Sequence, residues 1–165
     1  MIDGEVVAKM IIRSATVADA PVIKQIHTRA VLMLCCADYT LEQLETWTSQ
    51  STLQKQQRRL KQHRVFIAEL VGKAVGFVRW NPSTNELCSI FVDPDYVRLG
   101  VATKLMAHAA EDAVAHGVTE FWLDASLTAV PFYKATGWTF VKPMMHGTLA
   151  CVRMTKQLQL QEKVD

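Results

Sequence analysis

The chain has 165 residues, half of them apolar, and a formal net charge of +2. Its length suits one globular domain with a sizeable core, and so small a net charge does not announce a nucleic-acid partner. The longest apolar stretch, Ala30 to Ala37, falls well short of the roughly 20 residues that a membrane span needs, which excludes a transmembrane reading.

Residues 1–9 read as a short N-terminal extension. It carries Asp3 and Glu5 and has neither a basic leader nor an apolar core before a small-residue cleavage site, so no secretory signal is expected and the protein is placed in the cytoplasm. Met10-Ile-Ile-Arg-Ser14 reads as a first strand. Thr16 with Asp19 three residues on resembles a capping box for a helix running toward Cys36. A second helix is expected from Thr40, capped with Gln43, to near Lys61, with Leu41, Leu44 and Trp47 on one face. Its end concentrates five formal positive charges in Lys55-Gln-Gln-Arg-Arg-Leu-Lys-Gln-His-Arg64. Cations are favoured near a helix C-terminus, so the segment reads first as a solvated helix end and second as a surface for phosphates or an acidic partner.

The period then changes. Val65–Leu70 and Ala74–Trp80, joined by Val71-Gly72-Lys73, read as an antiparallel hairpin. After the turn Asn81–Asn85, Glu86–Val92 is a further strand, ended by Asp93-Pro94. A helix is expected from near Gly100 to His116 with Gly117 as its stop. Val101, Leu105, Ala109 and Ala113 form one i, i+4 row and Ala102, Met106, Ala110 and Val114 the next, a wide apolar face suited to packing flat on a sheet. Val118–Asp124 reads as a strand, Thr128–Thr136 as a short helix, and Trp138–Val141 and Leu149–Met154 as closing strands. The resulting order is β-α-α-β-β-β-α-β-α-β-β.

Four cysteines, Cys35, Cys36, Cys88 and Cys151, form no CxxC pair, and the five histidines are scattered. Reduced thiols and no metal are expected.

The segment Ile90 to Leu105 joins strand, loop and helix. Backbone N–H groups laid at a helix start lack intrahelical partners, and the macrodipole adds positive charge there, which together make an anion site. Gly100 and Ala102 are small where a ligand must approach the backbone, and Arg98 adds a full charge. This segment resembles the cofactor motif of the GNAT acetyltransferases, Q/R-x-x-G-x-G/A after a strand and Asp- or His-Pro. Gly100 and Ala102 match; Val97 stands at the usual Gln or Arg position, with Arg98 one residue later. Ser126-Leu-Thr-Ala129-Val-Pro-Phe-Tyr133-Lys-Ala-Thr-Gly137-Trp is similar to the family's N-x-x-A-x-x-x-Y-x-x-x-G-F segment. Ser126 replaces the common Asn and Trp138 the common Phe.

The resemblance covers nearly the whole chain. It implies an α/β acyl-CoA N-acyltransferase fold over 1–165 as one domain: a mostly antiparallel sheet of six to seven strands, a V-shaped splay beside the fourth strand, and about four helices. It further implies acetyl-CoA as cosubstrate, held by Ile90, Phe91, Val92, Val97, Arg98, Leu99, Gly100, Val101, Ala102, Thr103, Ser126 and Tyr133. Direct transfer to an amine needs a neutral amine, a stabilised oxyanion and a proton for the leaving thiolate. Tyr133 aligns with the family's general acid; the alternative is a buried tyrosine packing beside Phe132. Glu86 is the nearest equivalent of the carboxylates that serve as base in some members, and a backbone N–H near Phe91 or Val92 would hold the oxyanion. Acceptor selectivity in the family usually comes from the first two helices and their connection. Asp38 is therefore expected to attract an ammonium group, and Tyr39 and Trp47 to wall a pocket. The expected reaction is attack of a primary amine, on a small molecule rather than a protein, on the thioester. Two other readings stay open: a catalytically silent acyl-CoA-binding module, and an enzyme acting on a nucleic-acid-linked amine such as charged tRNA through the basic 55–64 segment. Members often dimerise, and the closing strands offer an edge for a homodimer.

Overall fold

A computed structural model describes residues 9–159, so the expected N-terminal extension, on which the expectation of no secretory signal rests, lies, but for Lys9, outside the described residues. Seven strands form one sheet in the order β1-β2-β3-β4-β5-β7-β6. The strands are β1 Ile11–Ser14, β2 Arg64–Leu70, β3 Lys73–Asn81, β4 Glu86–Val92, β5 Glu120–Ser126, β6 Thr139–His146 and β7 Leu149–Gln157. All neighbours pair antiparallel except β4 and β5, which are parallel. The β2–β3 turn is tight because Val71 and Gly72 both take positive φ, 51° and 72°, the geometry that a two-residue hairpin requires.

Among the described residues there are five α-helices: α1 Ala20–Leu34, α2 Leu41–Gln50, α3 Leu53–Gln62, α4 Val101–Ala115 and α5 Val130–Ala135. The single helix expected from Thr40 to Lys61 is two. Thr40 caps the first as expected, its Oγ1 accepting from the Gln43 N–H, but Thr52 starts a second by accepting from the Lys55 N–H at 3.2 Å. Ser51 between them is buried and accepts from Gln56 Nε2 at 2.6 Å, which fixes the break. Short polar side chains that satisfy the first N–H groups of a helix compete with continuing the previous one. The last strands are also longer than expected, with β6 reaching His146.

α4 lies on one face of the sheet, as its apolar rows imply: Val101, Leu105, Ala109 and Ala113 are all buried, each large side chain worth roughly 1.5–3 kcal/mol. Gly76 on β3 permits the close approach, since a Cβ there would sit 3.0 Å from both the Phe91 carbonyl and Val101 Cγ1. On the other face α1 and α3 cover Val65, Ile67 and Phe77 with Ile23, Ile26 and Leu60. α2 closes over Val31, Cys35 and Tyr39 through Leu44 and Trp47. Among the described residues, no helix is long and apolar enough to cross a membrane.

Candidate active site

β4 and β5 part almost as soon as they meet. They share one ladder pair, Glu86 with Trp122, beside the hydrogen bond from the Trp122 N–H to the Asn85 carbonyl, so the strands splay from that vertex toward Val92 and Ser126. A bulge adds to the opening. Arg79 faces Ser89 and Trp80 faces Leu87, leaving Cys88 as the extra residue, and bulges of this kind re-aim side chains beside sites.

Two spaces meet in the splay. A cleft of about 260 Å³ is lined by Ile90, Phe91, Val92, Val97, Ala102, Ala129, Phe132 and Tyr133, with Ser126 and Asp124 on the β5 side. A second cavity of about 530 Å³ takes in His27 from α1, Tyr39, Trp47 and Gln50 from α2 and the segment before it, and Arg59 from α3. Its other walls are Arg79 from β3, Glu86 from β4 and His146, Gly147, Leu149 and Cys151 around the β6–β7 turn. Trp47, Cys88, Ser89, Phe91, Asp124 and Ser126 line both spaces, and so mark where they join.

At the outer end of the cleft the chain turns into α4 through two left-handed residues, Arg98 at φ 62° and Gly100 at φ 80°. Gly100 is the N-cap and supplies no side chain to the N–H groups of the first turn, and nothing lies within 4 Å of where its Cβ would stand. That open cradle fits a phosphate-bearing ligand, because the first-turn donors are unclaimed by any cap. Val97 and Ala102 line the cleft. Arg98 and Leu99 are exposed on the loop, Val101 is buried against the sheet so that only its backbone can serve a ligand, and Thr103 lies at a separate surface groove with Met106 and Trp138.

Tyr133 is 7% exposed and lies edge-on to Phe132 and Trp138. Its hydroxyl makes no hydrogen bond to another described residue, and burial pushes the phenol above its ordinary pKa, so it is protonated at neutral pH. Glu86 sits at the vertex, in the larger cavity. Burial and then the nearby Asp124 raise its pKa, against the attraction of Arg79, His146 and Arg153. Asp124, although partly desolvated, is held below the usual range by Arg153 at 2.8 and 3.0 Å and by His146 Nε2 at 2.8 Å.

The three residues expected at the acceptor divide. Trp47 and Tyr39 do wall the larger cavity, 5.9 Å apart and edge-to-face. The Tyr39 hydroxyl is already engaged, donating to the Ala150 carbonyl at 2.6 Å and accepting from the Leu127 N–H at 2.9 Å. Asp38 is absent from the lining and instead accepts from Thr128 Oγ1 at 2.7 Å, since the α1–α2 connection folds against the turn between β5 and α5 rather than over the cavity. Arg79 and Asp124 were not singled out in the sequence, His27 and His146 read there only as scattered histidines, and Arg59 only as part of the basic 55–64 segment; Arg79 does leave a signal, a charge in the otherwise apolar run Ala74–Trp80.

A family model described as acetyltransferase (GNAT) domain matches residues 35–158. The chain is 30% identical over 131 residues, 79% of its length and 82% of the relative's, to YafP, an uncharacterized N-acetyltransferase of Escherichia coli strain K12. Among solved structures it is similar to a GCN5-related N-acetyltransferase from Rhodopseudomonas palustris, with a TM-score of 0.86 at 31% identity over 94% of this chain and 100% of that one. The fold is also that of the PaiA N-acetyltransferase of Thermoplasma acidophilum, solved in complex with coenzyme A, with a TM-score of 0.80 at 17% identity over 90% and 99% of the two chains.

Proposed function

The chain belongs to the GNAT acetyltransferase family and is an acetyl-CoA-dependent N-acetyltransferase, and from that premise we propose that its acceptor is the primary amine of a small molecule. One observation carries this reading: the narrow cleft opens at the splay into a separate 530 Å³ cavity walled by α1, α2, α3 and the β6–β7 turn. A cavity of this size, lined by residues of three helices and the β6–β7 turn, suits a metabolite-sized amine better than an extended peptide. The basic segment gives a nucleic-acid-linked acceptor little support, because Arg59 turns into the cavity and Arg64 pairs with Asp112 at 2.9 Å, leaving Lys55, Arg58 and Lys61 exposed.

Bound acetyl-CoA supplies an activated acetyl group. Ile90, Phe91 and Val92 would line its arm along the open edge of β4, Ser126 would face it from β5, and the backbone from Val97 to Thr103 would receive its phosphates, with Arg98 beside them. Tyr133 holds a proton on its hydroxyl within the cleft, ready for the departing sulfur. Glu86, raised by its burial, takes a proton from the incoming ammonium on the cavity side. A backbone N–H near Phe91 or Val92 steadies negative charge on the oxygen.

Titration calorimetry with acetyl-CoA, with ATP and NAD as controls, followed by a thiol-release screen of small amines, tests the reading. Selective acetyl-CoA binding with turnover of free amines supports it. Release seen only with peptides, or activity that falls steeply with salt and needs tRNA, overturns the small-molecule acceptor. In Glu86→Gln the acid limb of the pH–rate profile should vanish. A limb that persists unchanged removes Glu86 as base.

A further inference from the structure

The larger cavity holds two cations that form no ion pair among the described residues. Arg79 is 8% exposed; its Nη1 donates to His63 Nδ1 at 2.7 Å and its Nη2 to Ser89 Oγ at 3.2 Å. A guanidinium only donates, so His63 accepts through Nδ1 and keeps its proton on Nε2. Burial, with Arg79 and Arg59 nearby, pushes His63 down to about 4, and it is neutral at pH 7. Three of the five N–H donors of Arg79 remain without a partner among the described residues. Arg59, half-buried on α3, faces the same cavity and joins no ion pair or side-chain hydrogen bond among them.

No acid among the described residues pairs directly with either arginine. Asp124 is taken by Arg153 and His146. Glu86 acts on Arg79 through space, with no ion pair between them among the described residues. Cys88, pushed up to about 11 chiefly by burial, is a thiol at neutral pH. Burying a cation without a counter-charge is strongly unfavourable, and placing a second beside it adds repulsion. An anion entering the cavity relieves both.

We propose that Arg79 and Arg59 bind an anionic group of the acceptor, and that the acceptor is a small amine bearing a carboxylate, of the amino-acid kind. The inference rests on the reading of this cavity as the acceptor site. The guanidinium fork matches a planar carboxylate. Glu86 shares the space, so a dianionic phosphate is repelled more than a carboxylate, and the same acid suits the ammonium end of a zwitterion. Arg79 and Glu86 stand on the adjacent strands β3 and β4, and Arg59 on α3, so the anion and the amine of one small molecule can be met within the same cavity.

The test pairs the twenty L-amino acids with their carboxamides and decarboxylated amines, and reads both thiol release with acetyl-CoA and thermal protection of the free protein. The wild type should prefer one or more acids over their neutral partners by on the order of tenfold or more, as loss of a charge-assisted contact implies. Arg79→Met should bring that preference to within about threefold while leaving acetyl-CoA affinity unchanged. Arg59→Met, at a side chain without a hydrogen-bond partner among the described residues, gives the same readout should Arg79→Met fail to fold. Amides or amines that match or exceed the acids in the wild type overturn the proposal. Protection by the acids that both variants abolish, in the absence of any turnover, upholds the anion site while the transfer reading fails. Protection and turnover by acids that both variants keep overturn the anion site while the transferase reading stands.

Discussion

The narrow cleft and the larger cavity share six residues but are built in opposite ways. The cleft is made of backbone and mostly small or apolar side chains drawn largely from two continuous segments, 87–102 and 124–133, a strand edge, a left-handed loop and a helix start, with Ala30, Leu34, Cys35 and Trp47 closing it from the helical side. The cavity is made of charged and aromatic side chains gathered from α1, α2, α3, β3, β4, β5 and the β6–β7 turn. A ligand common to a whole family can be held by backbone geometry that a short motif specifies. A ligand particular to one member has to be recognised by side chains, and the fold can take these from anywhere.

The largest expected effect lies on the cavity side. His27 is 6% exposed, between Phe91 and Trp47, and its Nδ1 lacks a partner; burial, then Arg59 and Arg79, push its pKa down to about 4. A depressed folded-state value means that its contribution is present in full above pH 6.5 and is lost as pH falls toward 4 and below, up to on the order of 3 kcal/mol. His27→Leu should reduce the slope of thermal stability against pH in that window, where His63 contributes as well; an unaltered slope would show that burial does not depress the His27 ring. On the cleft side, Tyr133→Phe should cut turnover by about a hundredfold and leave acetyl-CoA affinity within a few-fold, because only a proton donor is removed. Unchanged turnover takes Tyr133 out of the mechanism and makes it a packing residue beside Trp138.

Gly100→Val sharpens the same contrast. At φ 80° a β-branched residue costs about 1–2 kcal/mol, and its side chain would occupy the open cradle. Acetyl-CoA binding by calorimetry should weaken on the order of tenfold with acceptor preference unaltered; full affinity would mean that the loop does not meet the phosphates. Thr52→Ala is the smallest change. Losing the α3 cap should cost about 1 kcal/mol of stability in denaturant unfolding and disturb only the acceptor side, since α3 carries Arg59. A change in acetyl-CoA affinity of equal size would show that the two regions are not separable.

The amino-acid sequence alone determined most of what is periodic or contiguous. The α4 rows fixed its buried face, Val71-Gly72 its hairpin, and the runs at 90–102 and 126–138 the strand–loop–helix units and the family resemblance that they carry. It did not determine the break at Ser51–Thr52, because the helical pattern and the capping residues there point to different outcomes and packing of Ser51 and Gln56 decides. Nor did it place Asp38, whose carboxylate is within reach of Thr128 only once the α1–α2 connection has folded against the turn between β5 and α5. Arg59, Arg79, Glu86 and Asp124 share a cavity despite lying 20, 7 and 38 residues apart along the chain, and no local spacing encodes that. Periodicity is a property of neighbours in sequence and survives in the string. A charge constellation is a property of neighbours in space, and exists only after the sheet has splayed and three helices have closed over it.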